Sequence, residues 1–140
     1  MPLLAQLESQ DVALSCEAVN VTVCPPNEDC GTWTNEDLIK NGLSPMTGEG
    51  ISISKFELPD KAPIYFVEWG LYLAEATKIG NVLTSSDDGD SLGGEFTGKN
   101  INYFLNLVTL AYENRVVGKS DQHTYITNRY QCIKSESLFD

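Results

Sequence analysis

Asn100-Ile101-Asn102-Tyr103-Phe104-Leu105-Asn106-Leu107-Val108-Thr109-Leu110-Ala111-Tyr112-Glu113-Asn114-Arg115-Val116-Val117 is the stretch on which the fold class turns. Ile101, Phe104, Leu105, Val108, Ala111, Tyr112 and Arg115 recur at the three- and four-residue spacing of one helical face. Gly118 follows as a stop signal, and Arg115 lies near the negative end of the dipole. The spacing predicts a helix over about 100–117.

A second helix is expected over about 64–79. Phe66, Trp69, Leu73, Ala76 and Thr77 have helical spacing, Pro63 suits a first turn, and Lys78 then Gly80 suit a last turn and its cap. A strand over Tyr65–Trp69, broken by Gly70, is the competing reading. A third, short helix is expected at Asn35–Lys40. There Thr34 with Asp37 three residues on forms a variant capping box, and Asn41-Gly42 closes the helix.

Around these, alternation points to strands. Val19, Val21 and Val23 make 18–23 a half-buried strand, ended by Pro25-Pro26. Ile51-Ser52-Ile53-Ser54 alternates likewise, and a phase slip to Phe56 and Leu58 suggests a bulge or a strand end near Lys55. His123–Ile133, rich in Thr, Tyr and Ile, reads as a strand. Residues 81–98 form a polar, acidic loop. The expected fold is therefore one α+β domain over 1–140: a small mixed or antiparallel sheet with two main helices, about 64–79 and 100–117, packed on it.

A chain of 140 residues buries roughly 68% of its unfolded surface, so it does not need disulfides to fold. The four cysteines, Cys16, Cys24, Cys30 and Cys132, fit neither paired zinc-ribbon spacing nor a C-x-x-C redox motif. A Cys24–Cys30 bond closes a short loop, which leaves Cys16 and Cys132 as the second pair. Four cysteines permit three pairings within the chain, Cys16 and Cys132 are also candidates for joining neighbouring subunits, and reduced thiols acting as small hydrophobes are equally compatible with the spacing.

Net charge is −11. That argues against direct nucleic-acid binding or docking to an anionic membrane, both of which need a basic surface. The charge is uneven: residues 1–39 contain seven acids and no Lys or Arg, whereas 96–140 are close to neutral. No run approaches the ~20 apolar residues of a membrane-spanning helix. Met1–Glu8 lacks the basic and long apolar regions of a signal peptide, which makes the cytoplasm the default expectation.

The candidate chemistries are weak. Asp87-Asp88-Gly89-Asp90 departs from a calcium loop because Leu92 and Lys99 fall where ligands belong. Gly93–Lys99 nearly matches a phosphate loop, but Asn100 replaces Ser/Thr and no apolar strand precedes it. His123, beside Asp121, has no marked nucleophile to activate. No catalytic, cofactor-binding or metal-binding residue is assigned.

Surplus aromatics, Tyr65, Trp69, Tyr72 and Tyr103, are candidates for an interface. The expectation is a non-enzymatic structural subunit of a larger assembly, such as a capsid, neck or tail component of a virus or phage particle. Its partners are then copies of itself and other structural subunits. Its place is the virion, after synthesis in a host cytoplasm. The alternative is a small acidic adaptor or inhibitor covering a basic site on a partner. An enzyme with 81–98 as a lid ranks last.

Overall fold

The computed structural model describes residues 9–70, 72–87, 99–118 and 125–134. In chain order the elements are β1 (Ser9–Cys24), β2 (Gly31–Trp33), α1 (Asn35–Lys40), β3 (Glu49–Phe56), β4 (Ile64–Trp69), β5 (Tyr72–Ile79), β6 (Val82–Asp87), β7 (Lys99–Asn106), β8 (Ala111–Gly118) and β9 (Tyr125–Lys134).

The two main helices are not there, and the α+β class is corrected to nearly all β. Residues 100–117 belong to two antiparallel strands, with Lys99 opposite Gly118 and Leu105 opposite Tyr112. The decisive period is two. Tyr103 and Leu105 on β7, and Tyr112 and Asn114 on β8, are buried. Phe104 completed the helical pattern, but it lies on the other face, under the Arg115 guanidinium at 4.7 Å. The turn between the strands has no Gly or Pro. Instead the Asn106 side chain accepts hydrogen bonds from the backbone N–H groups of Val108 and Thr109 at 2.8 and 2.9 Å, and Leu110 takes a φ of 61°. Asparagine here does what a glycine turn does elsewhere.

The same correction applies to 64–79. β4 and β5 pair antiparallel, from Tyr65 opposite Ala76 to Trp69 opposite Tyr72. Gly70, at φ 61°, takes the left-handed backbone that reverses the chain. The competing strand reading of Tyr65–Trp69 describes this segment.

The sheet order is β2-β1-β3-β4-β5-β6-β7-β8-β9, with a further β1–β9 pairing. That pairing closes eight strands, β1 and β3–β9, into an antiparallel barrel. β1 serves twice along its 16 residues. Ser9–Cys16 pair with β3, Leu14–Cys24 pair with β9, and β2 covers the edge left at Val21–Val23. Closure removes the exposed edges of an open sheet. The β1–β9 register shifts between Ala18 and Asn20. This leaves Val19 exposed while Val21 is buried. The bulge thus falls in β1, whereas near Lys55 the strand-end reading describes the chain, since β3 stops at Phe56. β3 pairs with β4 without interruption from Ile51 to Phe56, and Phe56 meets Phe66 edge-on at 5.8 Å.

The core is the barrel interior. Val67, Leu83 and Leu105 have no exposed surface, and burial of each side chain contributes roughly 1.5–3 kcal/mol. Glu75, Glu113, Arg115, Arg129 and Gln131 alternate with the buried positions on their strands. The outer face also carries the exposed apolar side chains Phe66, Leu73, Ile79 and Ile133. Among the described residues no helix is long and apolar enough to cross a membrane.

The excursion from β1 to β3 is pinned locally. Cys24–Cys30 closes its first loop. α1 starts at the expected capping box: Thr34 Oγ1 accepts from the Asp37 N–H, and Asp37 accepts from the Thr34 N–H. That backbone hydrogen bond, the largest cause, holds the Asp37 carboxyl below its ordinary range. Asn35 ties the helix to Met46 through a pair of hydrogen bonds with its backbone. Of the expected polar loop 81–98, residues 82–87 are strand β6, and 88–98 lie outside the described residues.

Candidate functional site

At one end of the barrel lie the start of β3, the tip of the β4–β5 hairpin and the end of β6. A cavity of about 710 Å³ opens there. Its walls include Glu49, Trp69, Ile101, Tyr103, Asn114 and Asn128, and among the described residues no Lys, Arg or His lines it. β-Alternation explains the membership. Tyr103 and Ile101 share one face of β7, Asn114 shares a face of β8 with Tyr112, and Asn128 shares a face of β9 with Tyr130.

Five aromatic rings form a ladder across the interior. Tyr72 stacks on Tyr103 at 5.6 Å, Tyr103 on Trp69 at 5.3 Å, Trp69 on Tyr112 at 5.6 Å and Tyr112 on Tyr130 at 5.1 Å. These centroid distances are those of offset stacking. Five strands contribute one ring each, so the ladder braces the barrel as well as shaping the cavity.

Polar tips of the ladder converge on one carboxylate. Tyr112 donates to Glu49 Oε2 at 3.1 Å, and Tyr130 donates to Glu49 Oε1 at 3.4 Å. Behind Tyr112, Asn114 Nδ2 donates to its hydroxyl at 3.1 Å, and Asn128 Nδ2 donates to Asn114 Oδ1 at 2.8 Å. The result is a directional chain, Asn128 to Asn114 to Tyr112 to Glu49. Each carboxylate oxygen receives one tyrosine and keeps further acceptor capacity.

Glu49 is held by close backbone approach on both sides. A Cβ at Gly48 would come within 2.8 Å of the Cys16 carbonyl oxygen, so β3 can lie this near β1 only with glycine there. Gly70 takes its left-handed turn beside the Glu49 carboxylate.

The electrostatics follow from this geometry. Burial pushes the Tyr130 hydroxyl up to about 12, with the Glu49 charge adding to it. Burial raises Tyr112 further, opposed by the Asn114 hydrogen bond and reinforced by Glu49. Tyr103 is raised first by burial and then by the Asp87 charge. Asp87 itself is 2% exposed. All three phenols are therefore neutral donors at ordinary pH.

The four interface candidates differ in burial. Trp69 and Tyr103 are buried inside the barrel rather than presented on its surface. Tyr65 and Tyr72 are half-buried against the same core, and Tyr72 donates to the Ser86 carbonyl at 3.3 Å. The four cysteines form two disulfides, Cys16–Cys132 and Cys24–Cys30. His123, Asp121 and the glycines of 93–98 lie outside the described residues, as do Asp88 and Asp90 of the acidic run. Among the described residues no group of three or more His, Cys, Asp or Glu is placed to hold a metal ion.

Sequence reasoning missed Glu49, Tyr112, Asn114, Asn128 and Tyr130 as a set. A signal exists: Tyr112-x-Asn114 and Asn128-x-Tyr130 are mirror-image pairs with strand spacing. It becomes visible only once both segments are read at period two. No protein-family model, curated protein or solved structure matches this chain.

Proposed function

We propose that this chain is a non-catalytic binding protein that holds one small organic molecule in the barrel mouth. The observation that carries the reading is the cavity of about 710 Å³ at the end of a closed eight-stranded barrel. Barrels of eight strands are just wide enough either to fill with side chains or to hold one small ligand. The volume lies within the range of small-molecule sites, and apolar walls with a few placed polar groups are their usual composition. Two disulfides favour service in an oxidising setting over a reducing cytoplasm.

The test is a fragment titration followed by amide NMR. The reading expects shift changes concentrated at Glu49, Trp69, Gly70, Tyr103, Asn114 and Asn128. Fragments that bind nowhere, or only on the outer face, would sink it.

A second reading keeps the chain as a non-enzymatic structural subunit of an assembly, such as a virus or phage particle. What favours it is the apolar pair Leu73 and Ile79 on β5, each about two-thirds exposed. Light scattering across a concentration series tests this, and a strict monomer throughout would count against it.

A further inference from the structure

We infer that the molecule taken into the barrel mouth is an organic cation, its ammonium group at Glu49 and its aromatic or alkyl body against Trp69 and Tyr103. This rests on the ligand-binding reading above and narrows it to a chemical class.

Three observations carry it. The first is charge. Among the described residues the cavity lining includes the carboxylates Glu49 and Glu68 and no cationic side chain. The cations nearest in sequence to its walls are engaged elsewhere: Arg115 pairs with Glu113 and covers Phe104, and Arg129 donates to Asn20 and Thr22. Among the described lining residues an anionic ligand meets like charge, whereas a cation is attracted.

The second is the aromatic wall. Trp69 lies between Tyr103 and Tyr112, and Tyr103 between Trp69 and Tyr72, so both faces of each ring are covered and their orientation is fixed by the ladder. The two rings line the cavity as a pre-oriented apolar wall for the body of a ligand, not as open faces for its ammonium group. Glu49 is fixed equally firmly by the hydroxyls of Tyr112 and Tyr130, so little ordering remains to be done on binding.

The third is an orphan donor. Trp69 is 2% exposed, and its Nε1–H is buried without a hydrogen-bond partner among the described residues. Buried donors of this kind ordinarily find a partner in protein, water or ligand. A ligand whose body carries an acceptor, such as a phenol oxygen, supplies one in the cavity that Trp69 lines, while its donor-only ammonium group goes to Glu49.

Three probes with one body and different charges test the class: tyramine (cationic), tyrosol (neutral) and phloretate (anionic). Each is titrated calorimetrically into the full chain, into Glu49→Gln and into Glu75→Gln, which removes an exposed carboxylate from the outer face of β5. The expected order is tyramine first, by at least about tenfold over tyrosol, the scale of a charge-assisted hydrogen bond. Phloretate should bind weakest. Glu49→Gln should abolish the preference for tyramine while leaving tyrosol little changed, and Glu75→Gln should preserve it.

Equal or tighter binding of tyrosol or phloretate overturns the cation assignment and leaves the cavity reading standing. A tyramine preference that survives Glu49→Gln overturns the role of Glu49. Failure of all three probes to bind overturns both readings together.

Discussion

Cys16 and Cys132 lie directly opposite each other across the seam where β1 meets β9, and their disulfide joins the first and last strands of the barrel. The bond spans a sequence separation of 116, against 6 for Cys24–Cys30. Because the unfolded chain gains more freedom when a longer loop is opened, the two bonds should differ in worth. Chain-entropy reasoning gives about 5 kcal/mol for the seam bond and about 2 kcal/mol for the short one. Denaturant unfolding of the paired Cys→Ala variants checks this, with the larger fall expected for the Cys16/Cys132 variant.

Removing the Tyr112 hydroxyl leaves the buried Asn114 amide and the Glu49 carboxylate each short of a partner. Tyr112→Phe should therefore cost about 1–3 kcal/mol. Tyr130→Phe should cost less, because its single bond to Glu49 is longer, at 3.4 Å. Urea midpoints of the two variants decide the order.

Alkali should unfold the barrel through its tyrosines. Tyr130 is raised to about 12 in the fold, and Tyr103 and Tyr112 are raised further. Their unfolded value is near 10. Above that pH the unfolded chain releases protons that the fold retains, so it binds fewer protons and stability falls as pH rises. The contribution is fully present below about pH 10 and is lost through pH 12, at up to about 1.4 kcal/mol per pH unit for each phenol. Phenolate absorbance of these three rings should appear together with loss of near-ultraviolet circular dichroism. Phenolate formation in a barrel that stays folded would contradict it.

Leu105 and Val108 separate the barrel from a helix over the same residues. A helical face places them side by side. In the barrel Leu105 is fully buried on β7 and Val108 is 70% exposed in the turn. Leu105→Ala should lose about 2–5 kcal/mol. Val108→Ala should change stability by less than about 0.5 kcal/mol. Comparable losses would favour the helix.

That contrast also shows why part of the fold was legible and part was not. α1 was readable to the residue because Thr34 and Asp37 carry a local cap. The end of β1 was readable because Pro25-Pro26 cannot extend a ladder. β7 and β8 were not. Phe104 on their outer face is apolar, so the period-two alternation is masked, and the turn Leu107–Leu110 lacks the residues that usually announce one. Gly70 announced the β4–β5 turn, but Trp69, Leu73 and Ala76 happen also to match a helical stripe.

The site was hidden for a different reason. Glu49 is separated from Tyr112 and Tyr130 by 63 and 81 residues, and barrel closure alone brings them together. The cysteines mark that closure in sequence, but their spacing does not choose among the pairings.

The central claim is that the cavity beside Glu49 receives a ligand. The Trp69 Nε1–H resonance reports on it most directly, since this donor is buried beside the cavity with no partner among the described residues. Saturating tyramine should shift that resonance and slow its exchange with solvent, and in Glu49→Gln tyramine should do so at no lower concentration than tyrosol. A Trp69 resonance unmoved by tyramine, tyrosol and phloretate alike would contradict the account.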